Sequence, residues 1–247
     1  MKLYLIRHAQ SENNVIWNGS DHVDGRSPDP EITGAGHRQA EQLAQHLAHP
    51  EGEPRQHPFN SVKTTHFGLT HVYCSLMTRS MLTASYIANA CNLSLQALPD
   101  IFEQHGIFDF DDQGEMLGLP GPGRAYFEDR FPQINLPPEL SENGWWNRPA
   151  ETGDEFLSRI KSVIENISSK HANTDDCIAM VVHGDFIDQF INELMDVPRH
   201  QHNYSSDWVA NWIFHNTSIS RVDFINGSHT VVYLNRIDHL PGELVTW

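Results

Sequence analysis

Cysteine is scarce in this sequence. The chain has 247 residues and three cysteines, Cys74, Cys91 and Cys177. None stands in a CxxC pair, and each lies within an apolar segment. An odd, sparse set argues against a disulfide framework and is typical of reduced thiols in a cytosolic protein. We therefore expect three small core residues and no catalytic thiol.

Basic residues are also few. The chain carries 16 Lys and Arg residues against 32 Asp and Glu residues, for a formal net charge of −16. Binding to a phosphate backbone depends on clustered Lys and Arg, so this composition disfavours a nucleic-acid partner. A small anionic substrate needs only a few local cations and is compatible with the same composition.

Long apolar runs are absent. The run "IAMVV" at 178–182 is among the longest, and a membrane-spanning helix needs about 20 apolar residues. The first apolar stretch, "LYLI" at 3–6, is too short for a signal peptide. These features predict a cytoplasmic protein with no membrane partner.

Predicted strands and helices alternate along the chain. Period and composition predict strands at 1–6, 71–75, 93–98 and 177–182 and a C-terminal hairpin that turns at Gly227. They predict helices at 33–48, 78–91, 152–171 and about 185–195. Thr33 and Thr152 are the expected N-caps of two of them. This alternation indicates one α/β domain over 1–247, a three-layer α/β/α sandwich with a mostly parallel central sheet.

Residues 100–150 differ in character from the rest of the chain. They are rich in glycine, proline, aromatic and acidic residues, as in "GLPGPG" and "NGWWNRP". We predict an irregular insertion, or cap, over the carboxyl edge of the sheet. Within it, Trp145 and Trp146 fit either a substrate-facing wall or ordinary packing, because aromatic side chains are common in both settings.

Polar residues follow three of the predicted strands. Arg7 and His8 end the first, Arg79 follows the second at a helix start, and His183 and Gly184 end the fourth. Ligands bind at the carboxyl ends of strands in open α/β sheets. Buried charges make a poor core unless they are paired, whereas arginines and helix N-termini bind phosphate well. If these strands are neighbours, their ends form a site for a phosphoryl dianion.

Five segments carry a family resemblance. "LIRHAQSENN" resembles the signature of the histidine phosphatase superfamily, the phosphoglycerate-mutase-like proteins. The later segments "GRSPDPEITGAGHRQAEQLA", "VYCSLMTRSMLTA", "VVHGDFI" and "HNTSISRV" resemble further blocks of that family in the same order. One departure is Ala9 where the family usually has glycine, which fits if the local φ is negative.

The resemblance implies a role for each matching residue. His8 is then the nucleophile and accepts the phosphoryl group as a phosphohistidine. Arg7, Arg79 and His183 hold the phosphate and share in catalysis. The remaining substrate-binding positions are Ser11, Asn14 and Gly184, the last through its N–H group.

The resemblance also places a proton donor at Glu103, in "LPDIFEQHG". It would protonate the leaving oxygen and later activate water, which requires a raised pKa near neutrality. Asp109, Asp111 and Asp112 are close competitors for this role. Asp185 fits a simple helix cap.

These features predict a phosphomonoesterase of the histidine acid type, acting on a small phosphorylated metabolite. The arginines supply the positive charge, so we expect no metal and no cofactor. A phosphoglycerate-mutase-type phosphotransferase is the first alternative, although 99–150 contains only three cations, Arg124, Arg130 and Arg148. A non-catalytic phospho-ligand-binding protein is the second alternative. The sequence does not decide between a monomer and a homodimer.

Overall fold

The structure is a computed structural model that describes residues 1–19, 25–48, 67–198 and 211–247. The strands are β1 (Lys2–Arg7), β2 (His71–Cys74), β3 (Leu95–Ala97), β4 (Phe108–Phe110), β5 (Met116–Gly118), β6 (Ile134–Asn135), β7 (Cys177–Val182), β8 (Ile219–Ile225) and β9 (Ser228–Arg236). The helices are α1 (Glu12–Gly19), α2 (Gly34–Ala48), α3 (Thr78–Cys91), α4 (Arg124–Arg130), α5 (Gly153–His171) and α6 (Gly184–Leu194), with a short 3₁₀ turn at Gly242–Leu244. None of these helices is both long and apolar enough to cross a bilayer.

Seven of the strands form one sheet in the order β6-β3-β2-β7-β1-β8-β9. The strands β6, β3, β2, β7 and β1 run parallel, and β8 joins β1 antiparallel. All six residues of the central strand β7 are buried, as its continuous apolar run predicts. The prediction of a mostly parallel sheet is confirmed.

Helices cover both faces of the sheet. Alternate residues of β1 divide between the two cores, because successive side chains of a strand point to opposite faces. Leu3 and Leu5 pack with α5 and α6, whereas Tyr4 and Ile6 pack with α2 and α3. The chain is therefore a three-layer α/β/α sandwich, as the sequence predicts.

Capping residues set the helix starts. Thr152 accepts a hydrogen bond from the Glu155 N–H, and the Glu155 carboxylate accepts one from the Thr152 N–H, which is a complete capping box. Thr33 Oγ1 accepts the Gly36 N–H at 3.0 Å. The prediction for Asp185 is wrong, since His183 occupies the N-cap position of α6.

The segment 100–150 contains short regular elements that the sequence did not predict. The strands β4 and β5 form a separate two-stranded sheet, and β6 extends the main sheet beyond β3. From α4, the fully buried Phe127 packs into the core on the α2–α3 face. Trp146 is 4% exposed and packs with Met77 and Phe102, so its main contribution is to packing.

Candidate active site

Three strand ends meet at one edge of the sheet. In the β1–β7 register Arg7 lies opposite Val182, and in the β2–β7 register Cys74 lies opposite Val181. The residues that follow these strands therefore emerge side by side. The expectation that these strands are neighbours is confirmed.

His8 is held in one orientation. It is 3% exposed, and its Nδ1 lies 2.7 Å from the Ala9 carbonyl oxygen. Arg79 Nε donates a hydrogen bond to His8 Nε2 at 3.1 Å. These contacts place the proton on Nδ1 and the lone pair on Nε2. Burial and the charges of Arg79 and Arg7 hold the pKa of His8 well below its usual value, so the imidazole is neutral.

The backbone at Ala9 accommodates the departure from glycine. Ala9 has a negative φ, so its methyl group carries no left-handed strain. It is fully buried against Ile32 and Ala40, and its N–H donates to Thr83 Oγ1 at 3.0 Å. The substitution is therefore compatible with the geometry around His8.

Arg7 and Arg79 bring positive charge that no carboxylate in contact neutralises. Within the described ranges, neither guanidinium has an ion-pair partner. Arg7 Nη1 donates to the Phe214 carbonyl at 2.5 Å, and its buried Nε has no hydrogen-bond partner among the described residues. Burial lowers the pKa of both arginines. An anionic ligand would relieve this cost of burying charge.

His183 faces His8 across the site. It is fully buried, and the two ring centroids are 5.2 Å apart. His183 Nε2 lies 2.8 Å from Ser75 Oγ, while Nδ1 has no partner in the described part of the chain. Burial, Arg79 and His8 hold the pKa of His183 well below its usual value. If the Ser75 hydroxyl donates to Nε2, the proton stands on Nδ1 and is available to a ligand.

Glu103 lies against the first turn of α6, directly after His183. Its carboxylate accepts hydrogen bonds from the N–H groups of Gln104, Asp185 and Phe186 at 3.0–3.2 Å. Burial and the negative charge of Asp185 raise the pKa of Glu103 to about 7, and Arg79 acts in the opposite direction. A carboxyl group with this pKa donates and accepts a proton near neutrality.

The competing aspartates are placed differently. The Asp109 side chain is 49% exposed and lies 3.9 Å from Arg26. Asp111 is exposed and accepts from the N–H groups of its own turn, at Gln113 and Glu115. Compared with Asp109 and Asp111, Glu103 therefore has the position and the pKa that favour proton transfer beside His183.

Ser11 and Asn14 interact mainly with each other. Ser11 Oγ donates to Asn14 Oδ1 at 3.0 Å, and the same oxygen accepts from Asn216 Nδ2 at 3.2 Å. Gly184 begins α6, and a Cβ at that position would stand 3.5 Å from Arg7 Nε. Gly184 therefore lies beside Arg7, at an ordinary van der Waals distance that does not by itself require glycine.

Sequence reasoning missed two residues that support the site. Asn216 is buried and donates to the His8 carbonyl at 3.2 Å. Asp29 accepts from the N–H and hydroxyl of Thr78 at 3.0 and 2.7 Å and places a negative charge near Arg79. Asn216 lies in "HNTSISRV" and Asp29 in "GRSPDPEITGAGHRQAEQLA", two of the segments that carry the resemblance, but neither residue was assigned a role from the sequence.

The chain is thus an α/β protein with two buried neutral histidines and two arginines close together at the carboxyl ends of its strands. The sequence matches the model of the histidine phosphatase superfamily (branch 1) over residues 3–237. The chain belongs to that superfamily.

Similar proteins include both mutases and phosphatases. The chain is 26% identical over 234 residues to the probable phosphoglycerate mutase GpmB of Yersinia pestis (strain Pestoides F), covering 91% of this chain and 85% of that protein. Its fold resembles mycobacterial glucosyl-3-phosphoglycerate phosphatase (TM-score 0.58, 16% identity, 96% of this chain and 99% of that one). It also resembles phosphoserine phosphatase from Entamoeba histolytica (TM-score 0.56, 19% identity, 97% and 99%).

Proposed function

We propose that this protein is a phosphomonoesterase that hydrolyses a small organic phosphate through a phosphohistidine at His8. The observation that carries this proposal is the state of the His8 ring. Its Nδ1–H donates to the Ala9 carbonyl, and its Nε2 lone pair accepts from Arg79, with the charge of Arg7 nearby. A neutral, fixed imidazole beside cations is suited to attack on a phosphate ester.

In the first step His8 Nε2 attacks phosphorus and the bond to the leaving oxygen breaks. Glu103 gives its proton to that oxygen, so the product leaves as an alcohol. Arg7, Arg79 and His183 stabilise the charge on the equatorial phosphoryl oxygens. Phosphoryl transfer depends mainly on such positioning and electrostatic stabilisation.

In the second step water attacks the phosphohistidine. The Glu103 carboxylate takes a proton from this water, the N–P bond breaks, and the electron pair returns to His8 Nε2. Inorganic phosphate then leaves, and the site regains its starting protonation state. The two proton transfers of Glu103 require a pKa near the working pH, which its value of about 7 supplies.

The existing contacts of the three arginines in the insertion favour hydrolysis over mutase chemistry. A mutase must hold a second acidic group of its substrate. Arg124 donates to the Pro137 carbonyl at 2.6 Å, Arg130 pairs with Glu31 at 2.6 Å, and Arg148 stacks 4.0 Å from the Trp146 ring centre. All three are engaged in contacts within the protein, so they are poorly placed to bind that group.

The mutase alternative has its own support. The similarity to probable phosphoglycerate mutase GpmB favours it, and so does Arg26, a cation from outside the insertion. Burial and the charge of Arg79 lower the pKa of Arg26, so the two cations are near each other. However, Arg26 Nη1 already donates to the Phe108 carbonyl at 2.6 Å and lies 3.9 Å from Asp109.

Phosphate release and isomerisation, both measured in EDTA, separate these functions. We expect release of inorganic phosphate from a panel of aryl, sugar and hydroxy-acid monophosphates, with no loss of rate in EDTA. ³¹P NMR of 3-phosphoglycerate, with and without 2,3-bisphosphoglycerate, would follow isomerisation in parallel. Isomerisation faster than hydrolysis would establish the mutase instead. Phosphate binding without turnover of any ester would establish the non-catalytic alternative.

The Glu103→Gln variant tests the proton donor. Glutamine keeps the shape of Glu103 but cannot transfer a proton. We expect kcat/KM for an alkyl phosphate to fall by roughly 10²–10⁴-fold. In the wild type the same quantity should decline as pH rises through about 7, because the required protonated form is then lost. That alkaline decline should vanish in the variant.

An activated aryl phosphate provides the matched control. Its leaving group needs no proton, so phosphohistidine formation should survive in Glu103→Gln while later hydrolysis slows. The expected signature is a burst of phenol followed by a slow steady state. An equal loss for aryl and alkyl esters, with no burst, would exclude Glu103 as the acid. The Asp109→Asn variant should keep the wild-type profile.

A further inference from the structure

A second cluster of polar side chains lies at the opposite edge of the sheet. His71 is the first residue of β2, His171 is the last residue of α5, and Asp176 stands immediately before β7. His183 follows β7 at its other end, so the two clusters are separated by the length of that strand, about 20 Å. This cluster takes no part in the phosphoryl-transfer site.

The three side chains converge on one point. One potential ligand atom from each residue lies within 4.8 Å of the other two. His171 Nδ1 is 2.8 Å from Asp176 Oδ2, and His71 Nδ1 is 3.9 Å from Asp176 Oδ1. Ligands that share a zinc ion lie about 2.0–2.2 Å from it, so modest side-chain movements would place all three around one cation.

One side chain of the cluster is buried and the other two are partly exposed to solvent. The His171 side chain is 2% exposed, whereas those of His71 and Asp176 are 36% and 25% exposed. An ion could therefore enter from solvent past His71 and meet the fixed His171. The remaining coordination positions would be filled by water.

A second layer of contacts orients His171. Its Nε2 lies 3.0 Å from the Tyr73 hydroxyl, and Lys170 Nζ donates to that hydroxyl at 3.1 Å. These contacts turn Nδ1 toward Asp176. Histidines that bind metals commonly have the other ring nitrogen hydrogen-bonded in this way, which fixes the ring and its tautomer.

We propose that His71, His171 and Asp176 form a binding site for a zinc-type divalent cation. Two imidazoles and one carboxylate suit Zn²⁺ or Co²⁺, whereas Mg²⁺ and Ca²⁺ prefer oxygen ligands. The ion would take the lone pair of His171 Nδ1, and the single ring proton would then stand on Nε2, donated to the Tyr73 hydroxyl. The bound ion ties the start of β2 to the end of α5 and the start of β7, so its effect is on stability.

The alternative is that His171 and Asp176 form a hydrogen-bonded pair and that His71 only lies nearby. Asp176 and His171 already interact directly, and His71 Nδ1 lies 2.8 Å from Thr70 Oγ1. In that case His71 is dispensable and added metal has no specific effect. The two explanations therefore differ most in what they require of His71.

Zn²⁺ titration of the full-length protein tests the proposal. Calorimetry should show one saturable site in wild type, and Co²⁺ should give the visible absorption of a bound ion. At a Zn²⁺ concentration near 100 times Kd, the melting temperature should rise by roughly 5–10 °C. The same concentration of Mg²⁺ should leave it unchanged.

Single substitutions test which residues bind the ion. His71→Ala should weaken Zn²⁺ binding by at least about tenfold, and Asp176→Asn should do the same. His229→Ala removes an exposed histidine elsewhere and should bind like wild type. His8→Ala should also keep the site, which separates it from the active-site histidines. His71→Ala should retain wild-type phosphatase activity in EDTA.

Two results would overturn the proposal. One is the absence of saturable Zn²⁺ binding in the wild type. The other is equal affinity in wild type and His71→Ala, which would mean that the ion binds elsewhere. Neither result bears on the phosphatase proposal, because that activity is measured without metal.

Discussion

Replacing His8 with alanine is expected to reduce kcat/KM for an aryl phosphate by roughly 10⁴–10⁶-fold, the scale of removing a covalent nucleophile. The lost imidazole is the group whose Nε2 lone pair stands beside Arg79. Water would then have to attack the ester directly, without the phosphohistidine intermediate. Steady-state assays measure the loss, and rapid quenching with ³²P-labelled substrate should show a labelled intermediate in wild type only.

The fold should survive this substitution. His8 follows β1 and contributes no ion pair within the described residues, and Arg7 and Arg79 would still bind phosphate. Circular dichroism and phosphate protection against thermal unfolding provide the check. His37→Ala is the control. It removes an exposed histidine that is hydrogen-bonded to the Tyr86 hydroxyl at 3.0 Å, and it should keep wild-type activity. Activity of His8→Ala close to wild type would remove His8 as the nucleophile.

Replacing Arg79 with alanine is expected to lower kcat/KM by roughly 10³–10⁵-fold, the effect of losing an arginine that stabilises a phosphoryl transition state. Arg79 donates to His8 Nε2 at 3.1 Å and so places its charge where the phosphoryl group would arrive. Arg79→Lys should recover only part of the rate, because an ammonium lacks the planar, bidentate geometry of a guanidinium.

The stability of the Arg79 variant carries separate information. Burial lowers the pKa of Arg79, which means that its charge is costly in the folded protein. This cost offsets part of the stability that is lost with the packing and the hydrogen bond of the side chain, so Arg79→Ala should lower the free energy of unfolding, measured in urea, by less than the loss of a paired arginine does. Arg221→Ala is the matched control, since Arg221 lies opposite Tyr4 within the sheet and pairs with Asp223 at 2.7 Å. It should lose stability and keep activity, and the reverse pattern would contradict both assignments.

Local patterns predicted the regular elements of the sandwich well. The helix Thr78–Cys91 and the strand Cys177–Val182 have the predicted bounds, and Thr152 caps its helix as expected. These features depend on neighbours within a few residues, through apolar period and side-chain capping. The turn of the C-terminal hairpin is local in the same sense, since Asn226 and Gly227 both have positive φ.

The insertion was less predictable. Its strands β4 and β5 are three residues each, and β6 is two residues, which is too short for a periodic signal. Their formation depends on partners elsewhere, as when Ile134 pairs with Leu95 of β3. The prediction of an irregular segment thus describes its composition but not its contacts.

The sequence by itself determined the fold class, the family and the positions of Arg7, His8, Arg79 and His183 at the ends of strands. Each is visible in a stretch of a few residues. Only the tertiary structure decided that Glu103 rests on the N–H groups at the start of α6, which selects it over the nearby aspartates. It also decided that His71, His171 and Asp176 meet. Such contacts join residues far apart in the chain, and they depend on strand order and register, which no local pattern specifies.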